Sequence, residues 1–250
     1  MEKINVFQSI RDFSAIPKTY EMSKRMDMWK NMSSVNYHPY NDVECEEMIR
    51  NNFPEKVLLA YHKLIPGTFK SDLWRLCALY IHGGLYIDTH IKPVSTKIET
   101  ILSSYDYIFC IDYPTSPYYL YNAFMKAPKK SPLIMAIIDE IVNNVRIELF
   151  DKPDLEYTGP GLHGNVIKNI LSIDKFVEGV HKFGDKTILF ISHKTACPPS
   201  LYYLCIGNDP ICSCRYANYR QELDSICKKP HYAILIRNNM LYNKNIIIPP

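Results

Sequence analysis

Residues Phe69 to His90 read FKSDLWRLCALYIHGGLYIDTH, and this stretch decides the fold class. Ser71 is a good N-cap, and Leu73, Leu76, Cys77 and Tyr80 recur at i, i+3, i+4 and i+7, which predicts a long helix with one apolar stripe. Asp72 and Arg75 sit three apart on a different face at its start. Gly83-Gly84 stops the helix, because glycine accepts the left-handed geometry of a C-cap. The chain then turns directly into a strand, Leu85 to Asp88, with Leu85 and Ile87 on one side and Tyr86 and Asp88 on the other. Asp88 therefore ends a buried strand, at the carboxyl edge where open α/β sheets bind ligands. If the chain stays extended, His90 projects on the same side.

Working outward, strands and helices alternate. Ile4 to Phe7 reads as a short strand, followed by a helix around Met22, Met26 and Trp29. Asn41 with Glu44 forms a capping box opening a helix that buries Cys45, Met48 and Ile49. Val57 to Tyr61 reads as a compact strand closed by Pro66-Gly67, and Tyr107 to Ile111 as another. Ser131-Pro132 opens a helix with Ile134, Ile137, Ile138, Ile141 and Val145 on one face. A further helix follows Gly161, Thr187 to Ile191 is a late strand, and the last quarter reads as irregular. This order predicts an α/β sheet covered on both faces. No repeat and no Gly-, Ser- or Pro-rich linker divides the chain, so residues 1–250 are expected to form a single domain.

Composition excludes several classes. Apolar residues make up 47% and charged residues 22% of the 250, which is globular rather than disordered. The formal charge of +3, from 29 basic and 26 acidic side chains, does not suggest a nucleic-acid binder. The apolar runs are far shorter than the roughly 18 residues of a spanning helix. Lys3, Arg11, Asp12 and Lys18 interrupt any secretory signal, so a cytoplasmic protein is expected. Cys45, Cys77 and Cys110 lie in apolar periodic segments and read as reduced core thiols. The Cys205, Cys212, Cys214 and Cys227 group lacks the C-x2-C knuckles of a zinc site.

Asp88 and His90 offer a carboxylate and an imidazole that suit a divalent cation bridging diphosphate oxygens. Each element is weak by itself. D-x-H is a commonplace turn sequence, and Asp72 with Arg75 could be a surface ion pair worth only ~0.3–0.5 kcal/mol. Their combination is what carries information.

S-D-L-W-R followed by G-G-x-Y-x-D-x-[D/H] resembles the glycosyltransferase sugar-binding region containing a DXD motif. That family includes fungal α-1,6-mannosyltransferases and capsular polysaccharide transferases, and large clostridial glucosylating toxins share a related core. Ile4-Asn5-Val6-Phe7-Gln8-Ser9 is similar to the family's opening strand. Trp29, Tyr40-Asn41-Asp42, Phe53-Pro54 and Pro66 to Lys70 fall in its order and spacing. Asn122 to Met125 and Thr158-Gly159-Pro160 resemble two later blocks, and Tyr216, Tyr219-Arg220 and Tyr232 match more loosely. The resemblance implies a GT-A type nucleotide-sugar transferase fold, with a mixed central sheet flanked by helices. It implies transfer of a hexose, with retention, from a UDP- or GDP-sugar to a glycan or protein-linked sugar acceptor. It also implies manganese, with magnesium as the alternative.

Carried over by position, Asp88 and His90 fall on the metal and diphosphate motif, with Tyr86 beside them on the strand. Asp72 and Arg75 fall on residues that hold donor sugar or ribose, and with Asp88 they form the expected catalytic set. Phe7 and Gln8 fall on the strand beside the base. Asn122, Thr158 and Gly159 fall on the floor of the sugar pocket.

Most relatives have Asp where this chain has His90. The change removes a negative charge and adds a nitrogen ligand, favouring transition metals over magnesium. Metal affinity is then expected to weaken as His90 protonates, near or below about 6.5. Golgi relatives carry a membrane anchor, and none is legible here. The other readings are a catalytically silent carbohydrate- or nucleotide-sugar-binding protein, and a glycoside hydrolase pairing Asp72 with Asp88. Tyr113, Tyr118, Tyr119 and Tyr121 invite sugar stacking, but tyrosine is also an ordinary packing residue. Lys126, Lys129 and Lys130 read as a solvated basic loop, and His82 as a helix end. His193 and His231 could each reach a metal, but neither is assigned to it.

Overall fold

The computed structural model describes residues 3–195, 202–227 and 231–249. Among these residues, ten strands form one mixed sheet. They are β1 (Ile4–Ser9), β2 (Val35–Tyr40), β3 (Gly84–Ile87), β4 (Lys92–Pro93), β5 (Tyr107–Ile111), β6 (Phe124–Ala127), β7 (Gly179–Phe183), β8 (Lys186–Thr195), β9 (Tyr202–Ile206) and β10 (Asp209–Ser213). The order is β2-β1-β3-β6-β5-β8-β9-β10-β4, with β7 paired to β8. β1 runs parallel to β2 and β3, and β5 parallel to β8. β6 lies antiparallel between β3 and β5.

The helices are α1 (Glu21–Lys30), α2 (Asp42–Asn52), α3 (Glu55–Lys63), α4 (Gly67–His82), α5 (Ile98–Ser104), α6 (Pro132–Arg146), α7 (Pro160–Leu171), α8 (Tyr219–Cys227) and α9 (Tyr232–Arg237). Strand alternation divides the core in two. Tyr107, Phe109 and Ile111 of β5 join Phe7, Tyr86 and the apolar faces of α2, α3, α4, α6 and α7. Ile108 and Cys110 face the other way, with Val6, Leu85, Ile87, Trp29, Leu102 and Leu204. Both faces are covered, which is why β5 is apolar at every position.

Local chemistry accounts for the helix starts. The Asn41 carboxamide accepts from the Val43 and Glu44 N–H groups while Glu44 accepts from Asn41 N, closing the capping box. Ser131 accepts from Ile134 N, and Pro132 fills the first turn of α6. Gly84 has φ +122° and lies where a Cβ would come within 2.3 Å of the Asn5 carbonyl oxygen. No other residue lets β3 leave α4 and pair closely with β1.

Several expectations are corrected. Val57 to Tyr61 is not a strand but lies within α3, where Val57, Ala60, Tyr61 and Leu64 are buried at helical spacing. α4 starts at Gly67 rather than Ser71, so the Ser71 hydroxyl is free for tertiary bonds. α4 is buried from Asp72 to Leu79, on both its apolar and its polar positions. The last quarter is not irregular: the end of β8 with β9, β10, α8 and α9 occupies most of its described residues. Lys126 is no loop residue. It sits in β6, half-buried, with its ammonium donating to the carbonyls of Tyr105 and Asp106. Among the described residues the cysteines are free thiols, and all but Cys227 are buried. No helix among the described residues is long and apolar enough to cross a membrane.

Candidate functional site

The parallel strands β1 and β3 end side by side, and a cleft of about 320 Å³ opens at their carboxyl ends. Ser9, Ser71, Arg75, Tyr86 and Asp88 line it, as do Tyr219 and Arg220 of α8. The sheet therefore does what its topology permits: the ligand-facing atoms lie beyond the strand ends, where backbone pairing has stopped.

Asp88 is the first residue past β3. Its Oδ1 accepts from the Tyr86 hydroxyl at 2.7 Å and faces Arg75 Nη1 at 3.5 Å. Its side chain is 28% exposed, so the carboxylate reaches the cleft while one oxygen is held. Behind it, Gln8 donates to the Asp88 carbonyl at 3.3 Å and accepts from the Tyr37 hydroxyl. Asp88 is thus fixed through side chain and backbone at once.

Arg75 joins this carboxylate to a second one. Its guanidinium lies over the Tyr86 ring at 4.4 Å and donates to the Asn122 carbonyl at 2.7 Å. Its Nη2 meets Asp72 Oδ1 at 3.1 Å and the Ser71 hydroxyl at 3.2 Å. Asp72 also accepts from Asn122 Nδ2 and from the Thr158 hydroxyl, both at 2.8 Å. Gly159 caps α7 beside it, where an added Cβ would stand 3.5 Å from Asp72 Oδ2. Burial pushes the Asp72 carboxyl up to about 6, against the opposing pull of Arg75 and the Thr158 and Asn122 hydrogen bonds. The pair is not a surface one, since both side chains are 10% exposed or less.

His90 comes to Asp88 by a turn rather than by extended chain, closed by the Ile91 N–H on the Asp88 carbonyl. Its Nδ1 lies 3.8 Å from Asp88 Oδ2 and is buried without a hydrogen-bond partner. Its Nε2 pairs with the Tyr121 hydroxyl at 3.1 Å, and Tyr219 packs over the ring at 4.5 Å. Arg25 holds the turn by donating to the His90 carbonyl at 2.8 Å. Burial pushes the imidazole down to about 4, although Asp88 pulls the other way. This lies at the low end of the expected range, and the ring is neutral, with a lone pair to offer, across ordinary pH.

Asp88 and His90 fit a divalent ion. An unpaired buried nitrogen faces a carboxylate oxygen, and 3.8 Å is within the ~4.2 Å that two ligands about 2.1 Å from one ion can span. Among the described residues no group of three or more His, Cys, Asp or Glu side chains converges on such a point, at this site or at the late cysteines. His193 pairs with Asp112 instead, and His231 caps α9.

Asp72, Arg75, Tyr86, Asp88, His90, Asn122, Thr158 and Gly159 are thus brought together, with Gln8 directly behind them. Phe7 is not in this cluster. Its side chain points into the core between the rings of His38 and His82, at 5.1 and 5.7 Å. The sequence reading missed Ser71, Arg25 and His163. His163 lies on α7 close enough to Arg75 for its charge to be felt, with no accessible surface and both ring nitrogens without a normal hydrogen bond. Ser71 stands in the sequence only as a helix cap and motif start, and nothing in the local sequence marks Arg25 or His163. Of the four tyrosines, only Tyr121 touches this site. Tyr119 bonds to Glu156, and Tyr113 and Tyr118 are exposed.

Residues 3–108 match the family model for the glycosyltransferase sugar-binding region containing a DXD motif. The matched segment holds Asp72, Arg75, Tyr86, Asp88 and His90 and stops before Asn122 and Thr158. No curated protein matches the chain. A solved PaToxG glycosyltransferase is similar over 67% of this chain and 70% of its own, at 15% identity and a TM-score of 0.44. The family-model match supports sugar transfer in general.

Proposed function

We propose that the protein is a metal-dependent, retaining glycosyltransferase that moves a hexose from a nucleoside diphosphate sugar to a hydroxyl of a glycan or protein-linked sugar. The observation that carries this reading is the pairing of a half-buried, doubly held Asp88 with an unpartnered His90 nitrogen at a cleft beside parallel strand ends. Its continuity with Asp72 through Arg75 extends the polar surface to where a sugar would lie. One sheet running through strands from Ile4 to Ser213 supports a single domain, and the GT-A type assignment rests on the resemblance.

Asp88 and His90 would hold a divalent ion, manganese being favoured over magnesium by the nitrogen ligand. When bound, the ion supplies a positive charge that stabilises the departing diphosphate. Arg75 adds a second fixed cation, held in place by Asp72 and the Tyr86 ring, so little reorganisation accompanies charge development. Tyr86 keeps one Asp88 oxygen occupied and leaves the other toward His90. Asp72, Asn122 and Thr158 form a preassembled polar floor that can exchange hydrogen bonds with sugar hydroxyls. Tyr219 and Arg220 also line the cleft, where they would exclude water that otherwise hydrolyses the donor. The raised Asp72 does not make it the acid of a glycoside hydrolase, because its oxygens already accept two hydrogen bonds and its charge is balanced by the Arg75 ion pair.

A thermal-shift screen with UDP- and GDP-sugars, with and without manganese, tests the proposal. A donor shift that requires manganese is expected, and Asp88→Asn should abolish it while leaving the ligand-free melting point nearly unchanged. A donor shift indifferent to manganese and to this substitution would refute it. No donor shift at all would point to a silent member of the same fold.

A further inference from the structure

Behind His90 lie three buried or half-buried groups that the scheme above leaves unused: Tyr121, His193 and Asp112. The sheet register brings them together. β5 and β8 run parallel with Ile111 beside Ser192, so the next residues, Asp112 and His193, are neighbours. His193 Nδ1 meets Asp112 Oδ1 at 2.9 Å, with both side chains 7% exposed or less. The chain after Asp112 folds back along β5. Tyr119 accepts from the Asp112 N–H, and the Tyr121 N–H donates to the Cys110 carbonyl at 2.7 Å. Tyr121 is thereby laid flat on the His193 ring, at 4.1 Å between centroids and 22° between planes. From that position its hydroxyl reaches His90 Nε2 at 3.1 Å.

An ionised carboxylate can only accept, so His193 donates from Nδ1 and its ring plane is fixed by Asp112. The stack transmits that plane to Tyr121, and Tyr121 occupies one of the two His90 nitrogens. We propose that Tyr121 is a positioning residue. Its hydroxyl holds the His90 ring so that Nδ1, and not Nε2, faces Asp88, and the Asp112–His193 pair holds Tyr121 in register for that task. The inference rests on the metal-site reading of Asp88 and His90. Partners of this kind orient metal-binding histidines, and their loss weakens metal binding about 10–100-fold.

The test uses manganese alone with the full chain and no nucleotide, counting free ion by electron paramagnetic resonance. Tyr121→Phe keeps the ring that stacks on His193 and removes only the hydroxyl. It is expected to weaken manganese binding about 10–100-fold. It should also diminish the histidine-nitrogen coupling in the electron spin echo spectrum of the bound ion, a signal that His90→Ala abolishes. His193→Gln keeps a donor for Asp112 but removes the stack, and should move both readouts in the same direction by less. If Tyr121→Phe binds manganese like the wild type, with the nitrogen coupling intact, while Asp88→Asn does not bind, the positioning role is overturned and the metal site stands. If Asp88→Asn and His90→Ala also bind like the wild type, or the wild type binds no manganese, the metal-site reading falls and takes this inference with it.

Discussion

His163 gives the sharpest test of the physical reasoning, because burial without a partner has a calculable consequence. Its ring has no accessible surface, and neither nitrogen makes a normal hydrogen bond. Burial, reinforced by the nearby Arg75 charge, pushes the imidazole down to about 3, with the Thr158 carbonyl pulling weakly the other way. In the unfolded chain the group returns to about 6.5. A base whose folded pKa is depressed contributes stability that is intact above the unfolded value. That stability is lost as pH falls from 6.5 toward 3, because only the unfolded chain takes up the proton. Between pH 7 and pH 5 the loss from this residue alone is about 2 kcal/mol, with a limiting slope near 1.4 kcal/mol per pH unit. His163→Leu removes the titration and fills a similar volume. At pH 7 it is expected to lie within about 1 kcal/mol of the wild type, because no hydrogen bond is broken and no partner is left unpaired. Urea denaturation of both proteins at pH 7 and pH 5 measures the difference of differences, in which other titrating groups such as His90 and Asp72 cancel. The variant should lose about 2 kcal/mol less than the wild type over that interval. Parallel losses would refute the reasoning, as would a variant weaker by more than about 3 kcal/mol at pH 7, the cost of breaking a real buried network.

Two further outcomes follow from the geometry. Gly84→Ala places a Cβ 2.3 Å from the Asn5 carbonyl oxygen at a φ of +122°, and should cost about 3–5 kcal/mol in urea denaturation by separating β3 from β1. A loss under 1 kcal/mol would mean that the two strands do not approach as described. Asp72→Asn turns an amide toward at least one of the Asn122, Thr158 and Arg75 donors, and should cost about 3 kcal/mol at pH 7 by leaving a buried guanidinium half-paired. A neutral result would show that Arg75 is compensated by Asp88 alone.

Elements fixed by chemistry within a few residues were legible in the sequence. The Asn41–Glu44 capping box, the Ser131-Pro132 start of α6 and the Gly83-Gly84 break all appear where local reading places them. α3 was misread as a strand because the window Val57 to Tyr61 is too short to separate the two periods. Extended to Leu64, the buried positions fall at i, i+3, i+4 and i+7. β2 has no counterpart among the expected elements, and it carries Pro39, a residue that interior strands rarely hold. It lies on the sheet edge, where a missing N–H breaks no pairing beyond β1. The site divides in the same way. Asp72, Arg75, Asp88 and His90 lie on one helix–turn–strand unit, so their convergence follows from local geometry. Tyr121, His193, Gln8 and His163 reach the same region only through strand order and register, which no local pattern encodes. Gln8, Asn122, Thr158 and Gly159 entered by resemblance alone.

Burial energetics help separate function from scaffold among these residues. α4 is enclosed on all sides from Asp72 to Leu79, and a helix in that position is most simply stabilised by apolar side chains throughout. Instead it carries a carboxylate and a guanidinium, whose desolvation is offset only because Asn122, Thr158, Ser71 and Asp88 converge on them. Buried ionic groups of this kind are often no more stabilising than apolar side chains of equal volume. His90 and His163 repeat the pattern, each a neutral imidazole with at least one unbonded nitrogen in the interior. Four such departures are joined through Arg75 and Asp88 to the cleft that those two residues line, while the interior under α6 is almost wholly apolar. Local rules of folding break where a structure is shaped for something other than stability. The departures joined to this cleft are the set that the proposed transfer of a sugar from a nucleoside diphosphate would call for.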